Sequence, residues 1–131
     1  LTQGRYELYR GVFHLPARVN PRHGDGYTLS TEAGFREDFD LYYQATREQG
    51  ITDIRRSVQR ISYPDPDACV IEAEVQFIKD TVSIVEPFIT IFRLERRGGE
   101  WRIGRIISSL GHINWTRGLS GIGQDMKFEL D

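Results

Sequence analysis

A chain of 131 residues with 39% hydrophobic, 11% aromatic and 27% charged residues and a net charge of −2 has the makings of one globular domain. That balance excludes a global basic field drawing the chain to nucleic acid or an anionic membrane, and no apolar run reaches transmembrane length. The lone Cys69, opening an apolar run where a buried thiol is usual, excludes an internal disulfide and suits a reducing, cytoplasmic setting.

Residues 1–15 read as the end of a helix, with Tyr6, Tyr9 and Phe13 three and four apart; Gly11 weakens it and Pro16 stops it. Ala17 to Leu29 reads as a small hairpin. Its apolar Val19, Tyr27 and Leu29 flank a turn cluster that ends in the strong signal Asp25-Gly26. A capped helix over 32–48 follows. Ser30 or Thr31 is its N-cap, Glu32 complements the helix dipole, and Gly50 ends it. Phe35, Phe39, Tyr42, Tyr43 and Thr46 make one face, while Arg36, Glu37, Asp40, Arg47 and Glu48 occupy much of the rest.

Four β-rich runs then fill 51–63, 69–80, 81–96 and 101–110. Ile71, Ala73, Val75 and Phe77 alternate with Glu72, Glu74 and Gln76, giving a core face and a polar face. The two glutamates are expected to meet Arg56 and Arg60 on a neighbouring strand. Turns are expected at Lys79-Asp80-Thr81 and Gly98-Gly99, and Pro87 marks a bulge or an edge position. Long strands with so little helix between them predict an α+β architecture: a strongly curved antiparallel sheet wrapped around helices, with a cavity on its hollow side. Residues 111–131 have no sustained period and read as a C-terminal arm or tail of a single domain spanning 1–131.

Certain segments together carry a likeness over residues 5–110. They are Phe13-His14-Leu15-Pro16, Leu29-Ser30-Thr31 opening the helix of Phe39 and Tyr43, Gly50-Ile51-Thr52, and Gly99-Glu100-Trp101-Arg102-Ile103. The chain resembles the nuclear transport factor 2-like superfamily, a cone-shaped α+β fold, and within it the small bacterial SnoaL-like members. The resemblance implies a fold that hosts isomerases, dehydratases, cyclases, transport adaptors and binders, so it leaves the activity open. Few residues precede Phe13 to match the family's long first helix, so either that helix is missing from this chain, or a partner subunit or the C-terminal arm is expected to cover the cone's opening. The family isomerases' pairing of a tyrosine donor with an acid is not found at matched positions, so none of their catalytic residues carries over.

Candidate chemistry centres on the expected mouth. His14 there suits a general base or a ligand hydrogen bond, and equally a capping or interfacial histidine. His112 follows the last strand; converging with His14 and Tyr43, it would resemble the histidine-and-tyrosine apparatus of the family's dehydratases. Glu86 and Thr90 lie in phase with Phe88, Phe92 and Leu94 and point inward with them, unless a bulge at Pro87 turns Glu86 out. Phe39 and Trp101 complete the expected ligand-binding set. Three histidines and one cysteine without close pairs give no metal site. Neither a phosphate loop nor a nucleophile elbow is present, so no cofactor is expected. The expectation is a homodimer, formed through the sheet's outer face, that holds a small apolar organic ligand, with metal-free isomerisation, dehydration or cyclisation as the permitted chemistry. The rival is a non-catalytic dimeric interaction module whose core is filled by its own aromatics.

Overall fold

The computed structural model describes residues 2–111, with side chains from residue 5 onward. Helix α1 (Thr2–Gly11) leads into β1 (Phe13–Pro21) and β2 (Tyr27–Leu29), and helix α2 (Glu32–Glu48) follows. Strands β3 (Asp53–Asp65), β4 (Ala68–Lys79), β5 (Val82–Ser83), β6 (Phe88–Arg97) and β7 (Glu100–Ser109) complete one sheet. Its order is β2-β1-β7-β6-β4-β3, with β5 paired to β4. The class is α+β, as the sequence predicts.

Helix α2 starts and stops on its own chemistry. Thr31 has extended backbone, and its hydroxyl accepts the Gly34 N–H at 3.0 Å. Past the C-terminus, Gly50 takes a φ of +73°, which a side chain would strain. Phe35 is 1% exposed and Phe39 4%, and both pack with Tyr6, Tyr9 and Phe13. The Tyr9 ring centroid lies 4.9 Å from Phe13, 5.6 Å from Phe35 and 5.3 Å from Phe39. Burying each phenylalanine stabilises by roughly 2–3 kcal/mol, and well-set ring pairs add about 0.5–1.5 kcal/mol. A second cluster joins Ala45 of the same helix to Val75, Phe77, Val85, Phe88 and Leu110.

The β1–β2 hairpin forms as expected, with Ala17 opposite Leu29 and Val19 opposite Tyr27. So do the tight turns at Asp80-Thr81 and Gly98-Gly99, each with two successive residues at positive φ. Five expectations give way. Helix α1 ends at Gly11, and His14 to Pro16 belong to a strand. Pairing with the distant β7 decides this: Ile103 N–H bonds Val12 O at 2.7 Å, and Phe13 registers with Ile103. The sheet is mixed, because β1 runs parallel to β7; strands so far apart in sequence carry no hairpin constraint on direction. The run 81–96 is two strands, since the chain leaves the sheet between Ser83 and Phe88, where Pro87 has no N–H to donate. Val85 there plugs the second cluster. The sheet is accordingly not strongly curled. Cys69 is only half-buried.

A charged clasp closes the β6–β7 end. The Glu95 carboxylate accepts from Arg97 Nη2 at 2.6 Å and from Arg93 Nε at 3.1 Å. It lies over Gly104, where any Cβ would collide with it. Partial burial pushes this carboxyl up, but the hydrogen bonds and charges of Arg97 and Arg93 outweigh burial and hold it below its usual 4.5. A group held low in the folded state contributes stability that is complete above its unfolded value and is lost as pH falls through the folded one. Glu95→Gln is therefore expected to cost about 1–2 kcal/mol at neutral pH, with the deficit shrinking on acidification below 4.5. Urea midpoints of both proteins across pH check this; a deficit independent of pH would contradict it.

Candidate functional site

The two core clusters leave a gap between them, roofed by α2 and floored by one face of the sheet. That gap is a cavity of about 590 Å³, a size ordinary for small-molecule sites. Its floor is the alternating face of the central strands: Ile71, Val75 and Phe77 of β4, and Phe88, Thr90, Phe92 and Leu94 of β6. Register explains the sharing of a face, since Ile71 pairs with Phe92, Ala73 with Thr90 and Val75 with Phe88.

One set of polar groups comes from the first half of the chain. Tyr9 of α1, Tyr27 of β2, Asp38 and Tyr42 of α2, and Arg56 of β3 all line the cavity. The Tyr27 hydroxyl donates to Asp38 Oδ1 at 3.0 Å. The Tyr9 and Tyr42 rings stack at 6.3 Å with planes 20° apart. Burial pushes all three phenols up, away from ionisation; the Tyr42, Asp38 and Tyr27 charges push Tyr9 the same way, and Arg56 opposes. They therefore stay protonated donors at neutral pH. The Tyr9 hydroxyl makes no hydrogen bond within the described residues, which leaves its donor to the cavity.

Of the sequence-predicted ligand residues, Thr90 and Trp101 line the cavity. Thr90 is 3% exposed, and its hydroxyl donates to Ser108 O at 3.3 Å, where Ser108 sits at a φ of +65°. Trp101 is 42% exposed, with the Arg96 guanidinium 5.6 Å from its ring centroid. Phe39 is in the aromatic cluster rather than on the cavity wall. Glu86 is exposed, because the break at Pro87 takes it out of phase with Phe88 and Thr90.

The structure does not bring His14 and Tyr43 together, and His112 lies outside the described residues. His14 Nε2 is 2.7 Å from Glu95 O and 3.0 Å from Glu100 O. Both are acceptors, so Nε2 carries the hydrogen and pins β1 to the β6–β7 hairpin. Tyr43 stacks on Phe39 at 5.9 Å and has the Arg5 and Arg47 guanidiniums over its ring, away from the cavity. Of the two expected glutamate partners, Arg60 meets Glu72 at 3.9 Å, while Arg56 registers with Val75 and faces the cavity. Within the described residues no group of three or more His, Cys, Asp and Glu could hold a metal ion, and no helix is long and apolar enough to cross a membrane.

The residues that sequence reasoning missed carried two faint signals. Asp38 falls three after Phe35 and four before Tyr42, so it belongs to the aromatic side of α2, unlike Asp40. Arg56 interrupts the inward series of Ile54 and Val58. Polar residues at inward positions are where function shows.

No family model matches the chain, and no curated protein does. Solved structures do. A nuclear transport factor 2-like protein of unknown function from Shewanella oneidensis MR-1 superposes with a TM-score of 0.62 at 12% identity, over 82% of this chain and 84% of that one. A ketosteroid isomerase-like protein from Erwinia carotovora atroseptica gives 0.59 at 10% identity, over 82% of each chain. A domain of unknown function with a cystatin-like fold from Nostoc punctiforme gives 0.62 at 12% identity, over 95% of this chain and 81% of that one.

His14→Ala is expected to lower stability by about 1–2 kcal/mol through the lost clasp, while leaving the affinity of any cavity ligand unchanged. Thermal unfolding and a ligand titration on the same variant separate the two; weakened binding without loss of stability would return His14 to the site.

Proposed function

Starting from a chain with the nuclear transport factor 2-like fold, we propose that it binds a small, mostly apolar organic molecule in the cavity and acts on it by acid–base chemistry, without a metal. The observation that carries this reading is the Tyr27–Asp38 hydrogen bond on the cavity wall beside the Tyr9 hydroxyl. Tyr27 holds the Asp38 carboxylate in orientation, and the carboxylate takes a proton next to a carbonyl. Tyr9 donates to the oxygen on which charge develops. The apolar floor keeps water from competing, so each polar contact counts for more than it would in solvent. Isomerisation, dehydration and cyclisation all begin with such a step. A similarly folded protein described as ketosteroid isomerase-like is consistent with this.

A cyclic β,γ-unsaturated ketone is a suitable probe, its conjugated product read by ultraviolet absorbance. Wild-type protein is expected to accelerate the shift, and Asp38→Asn to lose about 10²-fold or more of that acceleration. Tyr9→Phe should lose a smaller factor. Equal rates for wild type and Asp38→Asn would dismiss Asp38 as the base.

A homodimer through the sheet's outer face belongs to the same proposal. Ile89 is 43% exposed, and its alternation partner Ile91 lies opposite Ile107 on β7. An exposed isoleucine amid half-buried ones suits a self-complementary patch. Light scattering is expected to give twice the chain mass for wild type and the chain mass for Ile89→Lys; a monomeric wild type would remove the dimer.

A further inference from the structure

The geometry points to an amphipathic organic carboxylate as the cavity's occupant, its acid group held by Arg56 and its apolar body laid on Phe77, Phe88 and Phe92. This rests on the cavity being a ligand site, as proposed above, and names what that site selects.

Arg56 stands where the strand pattern asks for an apolar side chain. It registers with Val75, which is 3% exposed, so it shares the cavity face of the sheet. Its strand neighbours are neutralised: Arg55 lies 3.5 Å from Asp53, and Arg60 lies 3.9 Å from Glu72. Arg56 has no carboxylate partner within the described residues. The other charges lining the cavity are the Asp38 carboxylate, which accepts from Tyr27, and Arg102, which pairs with Glu100 at 3.0 Å. Among the described residues, Arg56, itself exposed, is the positive charge lining the cavity that has no ion-pair partner.

A guanidinium cannot lose its proton, and its planar fork matches a carboxylate in two parallel hydrogen bonds. The Tyr9 hydroxyl, which makes no hydrogen bond within the described residues, lines the same cavity and offers a further donor. A neutral guest would leave the charge to water at the open side, whereas an anion would replace that water. A cation would find Asp38 but no match for the Arg56 fork.

The test uses purified full-length protein and three naphthalene probes of equal bulk: 2-naphthoate, its neutral amide, and 2-naphthylmethylammonium, each titrated by fluorescence. In wild type the carboxylate is expected to bind roughly tenfold or more tighter than the amide, and tighter than the ammonium. In Arg56→Gln the carboxylate preference should fall to about one while amide affinity holds; Arg56→Lys should restore part of it. Thr90→Trp, which fills the cavity, should abolish both. Equal carboxylate and amide affinities in wild type, both lost in Thr90→Trp, would overturn the anion preference and leave the pocket standing. A preference that survives Arg56→Gln would overturn the role of Arg56. Binding of neither probe, or binding indifferent to Thr90→Trp, would overturn the pocket itself and this inference with it.

Discussion

The aromatic joint between the two helices and the first strand is the constraint on which the fold rests. Phe35 and Phe39 of α2 can leave water only against Tyr6, Tyr9 and Phe13, and these come from a helix and a strand that precede α2 in the chain. That joint fixes one end of α2 over β1, while Ala45 near the other end meets the separate cluster around Phe77, Phe88 and Leu110. A straight helix pinned at two places bridges whatever lies between. The residue at its second pin is small, and the floor below alternates large and small side chains, so the space between the pins is not filled.

That unfilled space gives the polar groups their meaning. On an ordinary surface, a tyrosine bonded to an aspartate contributes little. Against Ile71, Val75 and Phe92 it works in a medium that screens charge poorly, and burial keeps the phenols protonated. Acid, donors and cation reach this chamber from α1, β2, α2 and β3, four elements spread over the first half of the chain. Hydrogen bonds elsewhere have plainer tasks. His14 ties β1 to the hairpin opposite, and Glu95 knits Arg93 and Arg97 across it.

Much of the fold was legible because its signals are local. A cap at Thr31, a glycine at 50, the alternation from Ile71 to Phe77 and the paired glycines at 98–99 each act through their own backbone geometry or immediate neighbours. The errors came where distant pairing overrides local preference. Helix α1 gives way to a strand because β7, some ninety residues on, supplies the partner. Proline at 87 reads as a bulge or an edge position in one long strand, whereas the chain leaves the sheet before it and rejoins just after it. Of the cavity lining, Thr90 and Trp101 were named from the sequence, Thr90 because phase along a strand gives facing. Tyr9 and Tyr27 carry no local mark of convergence, and Arg56 only the faint one of a charge at an inward strand position.

By itself, then, the sequence determined the helix bearing the aromatic face, most of the strands, the turns between them and the side of each strand that turns inward. These follow from dihedral preference and from the periods of 3.6 and 2. Only the tertiary structure decided that β1 lies parallel to β7, that His14 serves a hairpin rather than the chamber, and that Asp38, three tyrosines and Arg56 share one wall. Those outcomes depend on which distant surfaces meet, and hydrophobic burial, being non-directional, leaves that choice to the packing of the whole.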